Sequence, residues 1–181
     1  MKRLLVALLL AAAPASAQMV NGSSGGGAGL VTVGGNGSCC GGATTETNLL
    51  ALKVPAGSMG VNGMINLKCL WGYPNNANTK TLTVRYSATS GSVSAGGVVA
   101  AVVNVTTTVA TQTEINIRNT AANVQTMYGP NPTTPFGSSA TASVATAVDT
   151  TADSYVNVNG ITAVGTDTIS AHCVALVMRA P

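Results

Sequence analysis

Residues 61–86, VNGMINLKCLWGYPNNANTKTLTVRY, contain two runs in which apolar and polar side chains alternate. Alternation with a period of two is typical of a β-strand with one buried face. The apolar positions are Ile65, Leu67, Cys69, Trp71 and Tyr73 in the first run and Leu82, Val84 and Tyr86 in the second. The intervening residues 74–78, PNNAN, favour a turn. We therefore predict a hairpin with one apolar face that packs on the rest of the chain, with Trp71 and Tyr73 directed to the core.

Short runs rich in Val, Ile and Thr, separated by Gly, Pro and Asn, continue along the chain. They predict further strands at residues 49–54, 98–105, 111–119, 124–128, 142–148, 155–158 and 168–178. Strands without intervening helices exclude a parallel α/β sheet. We predict an all-β domain over residues 44–181, an antiparallel jelly-roll-like β-sandwich of about eight or nine strands. An immunoglobulin-like sandwich is the second choice, although Cys69 lies too close to Trp71 for the Cys…Trp…Cys spacing of that fold.

The first residues have the pattern of a secretory signal peptide. Lys2 and Arg3 precede an apolar run at residues 4–13, and Ala15-Ser16-Ala17 forms a cleavage site. The apolar run is shorter than the ~20 residues that a membrane-spanning helix needs. We predict cleavage after residue 17, export of the protein, and no membrane span in the mature chain.

Residues 18–43 form a glycine-rich segment that holds nearly half of the chain's 21 glycines. The glycines lack the Gly-X-Y period of collagen. Leu30-Val31-Thr32-Val33 is the segment's one apolar island, and such a composition cannot offset the entropy lost on ordering. We predict a flexible arm or linker, which either attaches the domain to a partner or is a disordered terminus.

Charged residues make up only 7% of the chain. The basic residues beyond the leader are scattered, so nothing predicts binding to nucleic acid or to an anionic membrane. A surface of Thr, Ser, Asn and Gly repels other copies only weakly. The composition therefore favours a homo-oligomer, contact with other surface proteins, or binding of an uncharged glycan.

No set of residues predicts catalysis, a cofactor or a metal site. His172 is the chain's one histidine, and its neighbour Cys173 projects from the opposite face of a strand. Asp149 and Asp153 flank a turn, and we interpret them as turn-forming residues, not as Ca²⁺ ligands. We predict that the protein is not an enzyme.

The four cysteines gain importance in an exported chain, where disulfides form and persist. Cys69 and Cys173 lie on strands that a jelly roll can place in one sheet, so they are candidates for a disulfide. Cys39 and Cys40 are adjacent on the glycine-rich arm, where an intermolecular disulfide between copies is the sharper hypothesis and free thiols are the alternative.

Several motifs in this sequence have counterparts in one known class of module. They are PAGSMGVNG at residues 55–63, LWGY at 70–73, NNANTKTLTVRY at 75–86, NIRN at 116–119 and VDTTAD at 148–153. Over roughly residues 45–178 the chain resembles a β-sandwich module of tailed-bacteriophage virion proteins. The resemblance implies a non-enzymatic structural or assembly protein of a tail or fibre, usually oligomeric and located in the virion.

A secreted surface-binding module is the alternative function. It would attach to carbohydrate or to a cell envelope through the proline-rich loop at residues 129–137. Tyr128, Asn131 and Phe136 are the candidate binding residues of this loop.

Overall fold

A computed structural model describes residues 30–39, 44–93, 96–128 and 144–180. These residues form ten β-strands: β1 (Leu30–Cys39), β2 (Thr47–Val54), β3 (Met64–Gly72), β4 (Lys80–Ser87), β5 (Val98–Val105), β6 (Ala110–Ala121), β7 (Val124–Tyr128), β8 (Val144–Thr146), β9 (Ser154–Thr162) and β10 (Ile169–Met178). Within these ranges no helix is long and apolar enough to cross a membrane.

The strands form two antiparallel sheets. One sheet has six strands in the order β1-β10-β3-β6-β7-β8, and the other has four in the order β2-β9-β4-β5. The pairs β1–β10, β2–β9, β3–β6 and β4–β5 are nested one inside the next along the chain. This nesting is the jelly-roll arrangement, and β7 and β8 extend one sheet beyond it. The predicted all-β jelly-roll-like sandwich is confirmed.

The core lies between the two sheets, where the inward-facing side chains of both meet. Trp71 and Tyr73 are buried, as the alternation predicts. The indole Nε1 of Trp71 donates a hydrogen bond of 2.9 Å to Thr113 Oγ1 on the neighbouring β6, so its buried polar atom is satisfied. Other fully buried large side chains are Tyr86, Lys80, Leu52, Met59, Ile65, Leu67, Leu82, Ile115, Ile117, Met127 and Ile169.

The two strands of residues 61–86 do not form a hairpin, so that prediction is wrong. β3 lies between β10 and β6, whereas β4 lies between β9 and β5 in the other sheet. The segment that connects β3 to β4 is held by other parts of the chain. Tyr73 N donates to Val109 O at 3.1 Å, and Asn76 Nδ2 donates to Asp167 Oδ1 at 2.8 Å. Both apolar faces still point inward. Alternation identifies the buried face of a strand and not the strand's neighbour.

The prediction of a flexible arm is wrong for residues 30–39, which form β1, and the sandwich therefore begins before residue 44. β1 pairs with β10 from Leu30↔Met178 to Cys39↔Ile169. Backbone hydrogen bonds to β10 order this strand, although its sequence contains few apolar side chains. A Cβ at Gly37 would lie 1.9 Å from Leu49 O, so glycine permits β1 to pass close to β2. The predicted signal peptide and Cys40 lie outside the described residues.

Candidate functional site

The outer face of the six-stranded sheet, which points away from the four-stranded sheet, carries a shallow depression of about 460 Å³. The strand register brings its side chains into rows. His172 lies opposite Leu70, and Leu70 lies opposite Gln112. In the adjacent row Val174 lies opposite Lys68. The depression therefore combines an imidazole, an amide and an ammonium group with two apolar side chains.

The outer face presents apolar side chains beside hydrogen-bonding groups. Leu70 is 59% exposed and Val174 is 42% exposed, so two apolar side chains face outward at the centre of the sheet. The nearby carboxylate of Glu114 is already engaged, since Oε1 accepts from Asn66 Nδ2 at 2.7 Å and Oε2 lies 3.7 Å from Lys68 Nζ. The lining contains no nucleophile paired with a base. Such a surface can bind a flat ligand or another protein through van der Waals contact and hydrogen bonds.

A disulfide lies beneath this depression. Cys69 and Cys173 are directly opposite in the β3–β10 register, with a Cα–Cα distance of 4.2 Å. The bond joins residues 104 apart in sequence at the centre of the sheet. Cys39 is also disulfide-bonded. Cys40 lies outside the described residues, so the intermolecular pairing of Cys39 and Cys40 stays a prediction.

The structure describes one of the three residues predicted for the proline-rich binding loop. Tyr128 ends β7 opposite Asn116, and its side chain is 53% exposed. It lies on the outer face, two rows from His172. Asn131 and Phe136 are outside the described residues, so a glycan site in this loop stays a prediction.

Asp149 and Asp153 stabilise a turn and its surroundings. Asp149 Oδ1 accepts hydrogen bonds from Thr151 N at 2.9 Å and from Thr151 Oγ1 at 2.7 Å, and these bonds lower the pKa of Asp149. Asp153 pairs with Lys53 at 2.6 Å, and this contact likewise lowers the pKa of Asp153. Among the described residues no group of His, Cys, Asp or Glu could hold a metal ion.

The glycine-rich motif at residues 55–63 also has a structural role. Gly57, Gly60 and Asn62 have φ angles of +68°, +61° and +62°, a left-handed conformation that glycine adopts freely and asparagine tolerates. The carbonyl of Gly63 accepts a hydrogen bond of 2.8 Å from the backbone N–H of Asn119 on β6. The motif thus shapes the turn into β3 and fixes it to the adjacent strand.

A buried polar network covers the outside of the four-stranded sheet. Arg85 donates from Nε and Nη2 to the two oxygens of Glu46 at 2.7 and 2.8 Å, and Asn159 Nδ2 donates to Glu46 Oε1 at 2.8 Å. Burial raises the pKa of Glu46, but the hydrogen bonds from Arg85 and Asn159 and the charge of Arg85 together lower it below 4.5. The β4–β5 loop lies over the network, with Asn159 Nδ2 also donating to Ser92 O at 2.8 Å. The network is therefore occupied by the chain's own groups.

The exposed edge of β5 is another candidate site for contact with a partner. In the described part of the chain β5 pairs only with β4, and its sequence VVAAVVNV contains neither charge nor proline. Val102 is 49% exposed. Of the other edge strands, β8 is only three residues long and β2 carries Lys53, whereas β1 also lacks charge and proline but passes close to β2 at Gly37. Short length, lysine and proline are the usual protections against strand pairing between chains, and β5 has only a bulge near Ala100.

Sequence reasoning did not identify the β5 edge, because edge status depends on strand order. It predicted the apolar run but not its position in the sheet. Comparisons with family models, with curated proteins and with solved structures found no match to this chain.

Proposed function

We propose that this protein is a non-enzymatic structural subunit that associates with further copies of itself through the β5 edge. The observation that carries the proposal is the edge strand Val98–Val105, which contains no charge or proline and within which Val102 is exposed. A β-strand whose outward N–H and C=O groups lack protection is a ready template for strand addition by another chain. Two copies joined in this way would form one continuous sheet.

The composition and the motifs support an assembly function. With charged residues at 7% of the chain, copies approach each other with little electrostatic repulsion. The residues of the glycine-rich motif are used in a turn, and those of the Asn-rich motif at residues 75–80 are used in loop contacts.

We propose further that the protein works outside the cytoplasm, in a virion tail or fibre or on an exported surface. The Cys69–Cys173 disulfide supports this location, because such bonds persist in oxidising surroundings. The motif resemblance to phage virion modules favours the virion. The predicted signal peptide favours export.

Light scattering after size-exclusion chromatography tests the assembly. The protein should be a defined oligomer, and Val102→Lys should shift it to monomer because a lysine at the edge opposes strand pairing. Val174→Lys is the matched control, since Val174 has similar exposure but lies on β10, inside the other sheet. A monomeric wild-type protein, with and without reductant, would contradict the proposal. An oligomer that dissociates only in reductant would instead assign the contact to intermolecular disulfides.

Binding of an uncharged glycan by the outer face is the second candidate function. The exposed Leu70 beside Gln112 and His172 favours it, because sugar rings combine apolar faces with hydroxyl groups that imidazole and amide can hydrogen-bond. Glycan-array binding that is lost in Gln112→Ala and retained in Val102→Lys would support this function. An array without any signal would remove it.

A further inference from the structure

Lys80 begins β4 and is fully buried. It shares the inward parity of Leu82 and Val84, and its side chain has no exposed surface. Lysine is almost never fully buried unless its ammonium group is paired. Its Nζ donates to Asn76 Oδ1 at close contact, and to the backbone oxygens of Asn76 and Thr106, each at 3.4 Å.

An amide and a carboxylate lie around this nitrogen in an ordered arrangement. Asn76 Nδ2 donates to Asp167 Oδ1 at 2.8 Å, while Asp167 Oδ2 lies 3.8 Å from Lys80 Nζ. The same carboxylate accepts from Asn78 Nδ2 at 3.1 Å, and the backbone N–H of Asn78 donates to Asn76 Oδ1 at 3.1 Å. Asp167 is only 4% exposed. The buried carboxylate of Asp167 therefore lies next to both the amine of Lys80 and the side-chain amide of Asn76.

We propose that Lys80 and Asn76 react to form an internal amide cross-link, with Asp167 as the proton carrier. Asp167 Oδ2 accepts a proton from Lys80 Nζ, and the resulting amine attacks Cγ of Asn76. The tetrahedral intermediate places negative charge on Oδ1, where the N–H of Asn78 donates to it. The Cγ–Nδ2 bond then breaks. Asp167 passes two protons in turn from Nζ to the departing nitrogen, so one ammonium ion leaves and one secondary amide forms.

The geometry favours this reaction because the reacting groups are held together before it begins. The carbonyl carbon of Asn76 is one bond of about 1.23 Å from the oxygen that already contacts Nζ. Because the fold already holds the reacting groups side by side, the reaction avoids the entropy loss of bringing them together. A desolvated lysine with an adjacent proton acceptor is an activated nucleophile. The product would close residues 76–80 into a covalent ring at the start of β4.

Tryptic mapping of the reduced and alkylated wild-type protein tests the proposal. Trypsin cleaves after Lys68 and Arg85, and an acylated Lys80 would not be cleaved. The expected product is a single peptide of residues 69–85 whose mass is one ammonia below that calculated for the same sequence with Cys69 alkylated. Fragmentation should give no cleavage products between residues 76 and 80, which separates the cross-link from a succinimide formed by ammonia loss at Asn75, Asn76 or Asn78.

Two variants and one control complete the design. Asp167→Asn preserves the size of the proton carrier and removes its basicity, so cleavage at Lys80 should return with the full peptide mass. Lys80→Arg retains a cation that cannot form the amide and should also show no ammonia loss. Cleavage after Lys53 serves as the internal control for digestion. Complete cleavage after Lys80 in the wild type would overturn the proposal, and so would a loss of water that joins Lys80 to Asp167.

Discussion

Removal of the Cys69–Cys173 disulfide should lower stability without unfolding the sandwich. The bond constrains an unfolded chain segment of 104 residues, and the chain-entropy relation gives about 4.7 kcal/mol for a loop of about 100 residues. The native state retains β3–β10 pairing over nine residue pairs on these strands. Removal of the bond is therefore expected to lower stability by raising the entropy of the unfolded state and not by disrupting the native sheet.

The expected shift is large enough to measure by thermal unfolding. For a domain of this size each kcal/mol corresponds to about 2–4 °C in Tm, so the loss amounts to about 10–20 °C. Circular dichroism at increasing temperature should show this decrease in the double variant Cys69→Ala/Cys173→Ala. The far-ultraviolet spectrum at low temperature should remain that of a β-protein.

Wild-type protein in reductant loses this bond together with the disulfide of Cys39 and retains both buried sulfur atoms of Cys69 and Cys173. Its Tm should also fall well below that of the oxidised protein. A further decrease in the alanine variant, when it is measured in the same reductant, would measure the packing of the two side chains, which are buried. A Tm that changes by less than about 2 °C in both samples would refute the reasoning that the bond acts through chain entropy.

Two further perturbations test the polar network and the motif turn. Glu46→Gln should cost about 3 kcal/mol at pH 7, since it leaves the largely buried Arg85 without its partner. Because the pKa of Glu46 is lowered in the folded state, the contribution of Glu46 to wild-type stability is fully present above about pH 4.5 and is lost as the pH falls through the folded pKa. Urea titration should find a smaller decline in the variant. Gly63→Ala would place Cβ 1.7 Å from Met59 O and should cost about 3 kcal/mol or prevent folding. Gly57→Ala has open space around it and should cost only about 1–2 kcal/mol for its left-handed φ, and equal losses for the two glycine variants would contradict the steric account.

Alternation predicted which side chains of most strands face the core, because that depends only on local sequence. Trp71 and Tyr73 are buried as expected. The same signal contains no information about sheet order, so β3 and β4 were predicted to pair although they lie in opposite sheets. β1 was missed because its glycines suggest disorder, while its order depends on backbone pairing with β10, far away in sequence.

The candidate sites depended on tertiary structure to different degrees. Cys69 and Cys173 could be proposed as partners from fold class, and the register places them opposite each other. The burial of Lys80 had a usable signal, since it shares the parity of Leu82, but a lysine at an inward position is against expectation. The β5 edge had no usable signal in the sequence. Its apolar run was visible, but a run buried between two strands has the same sequence pattern as one at an edge.

Hydrogen exchange along Val98–Val105 at increasing protein concentration tests the central claim, association through the β5 edge, most directly. Amides of β5 that point away from β4 have no backbone partner in the described part of one chain. If copies join at this edge, these amides should gain protection as concentration rises, while the exchange of β10 peptides stays constant. Exchange of β5 that is fast and independent of concentration, in a sample that light scattering shows to be oligomeric, would contradict the account and assign the interface to another surface.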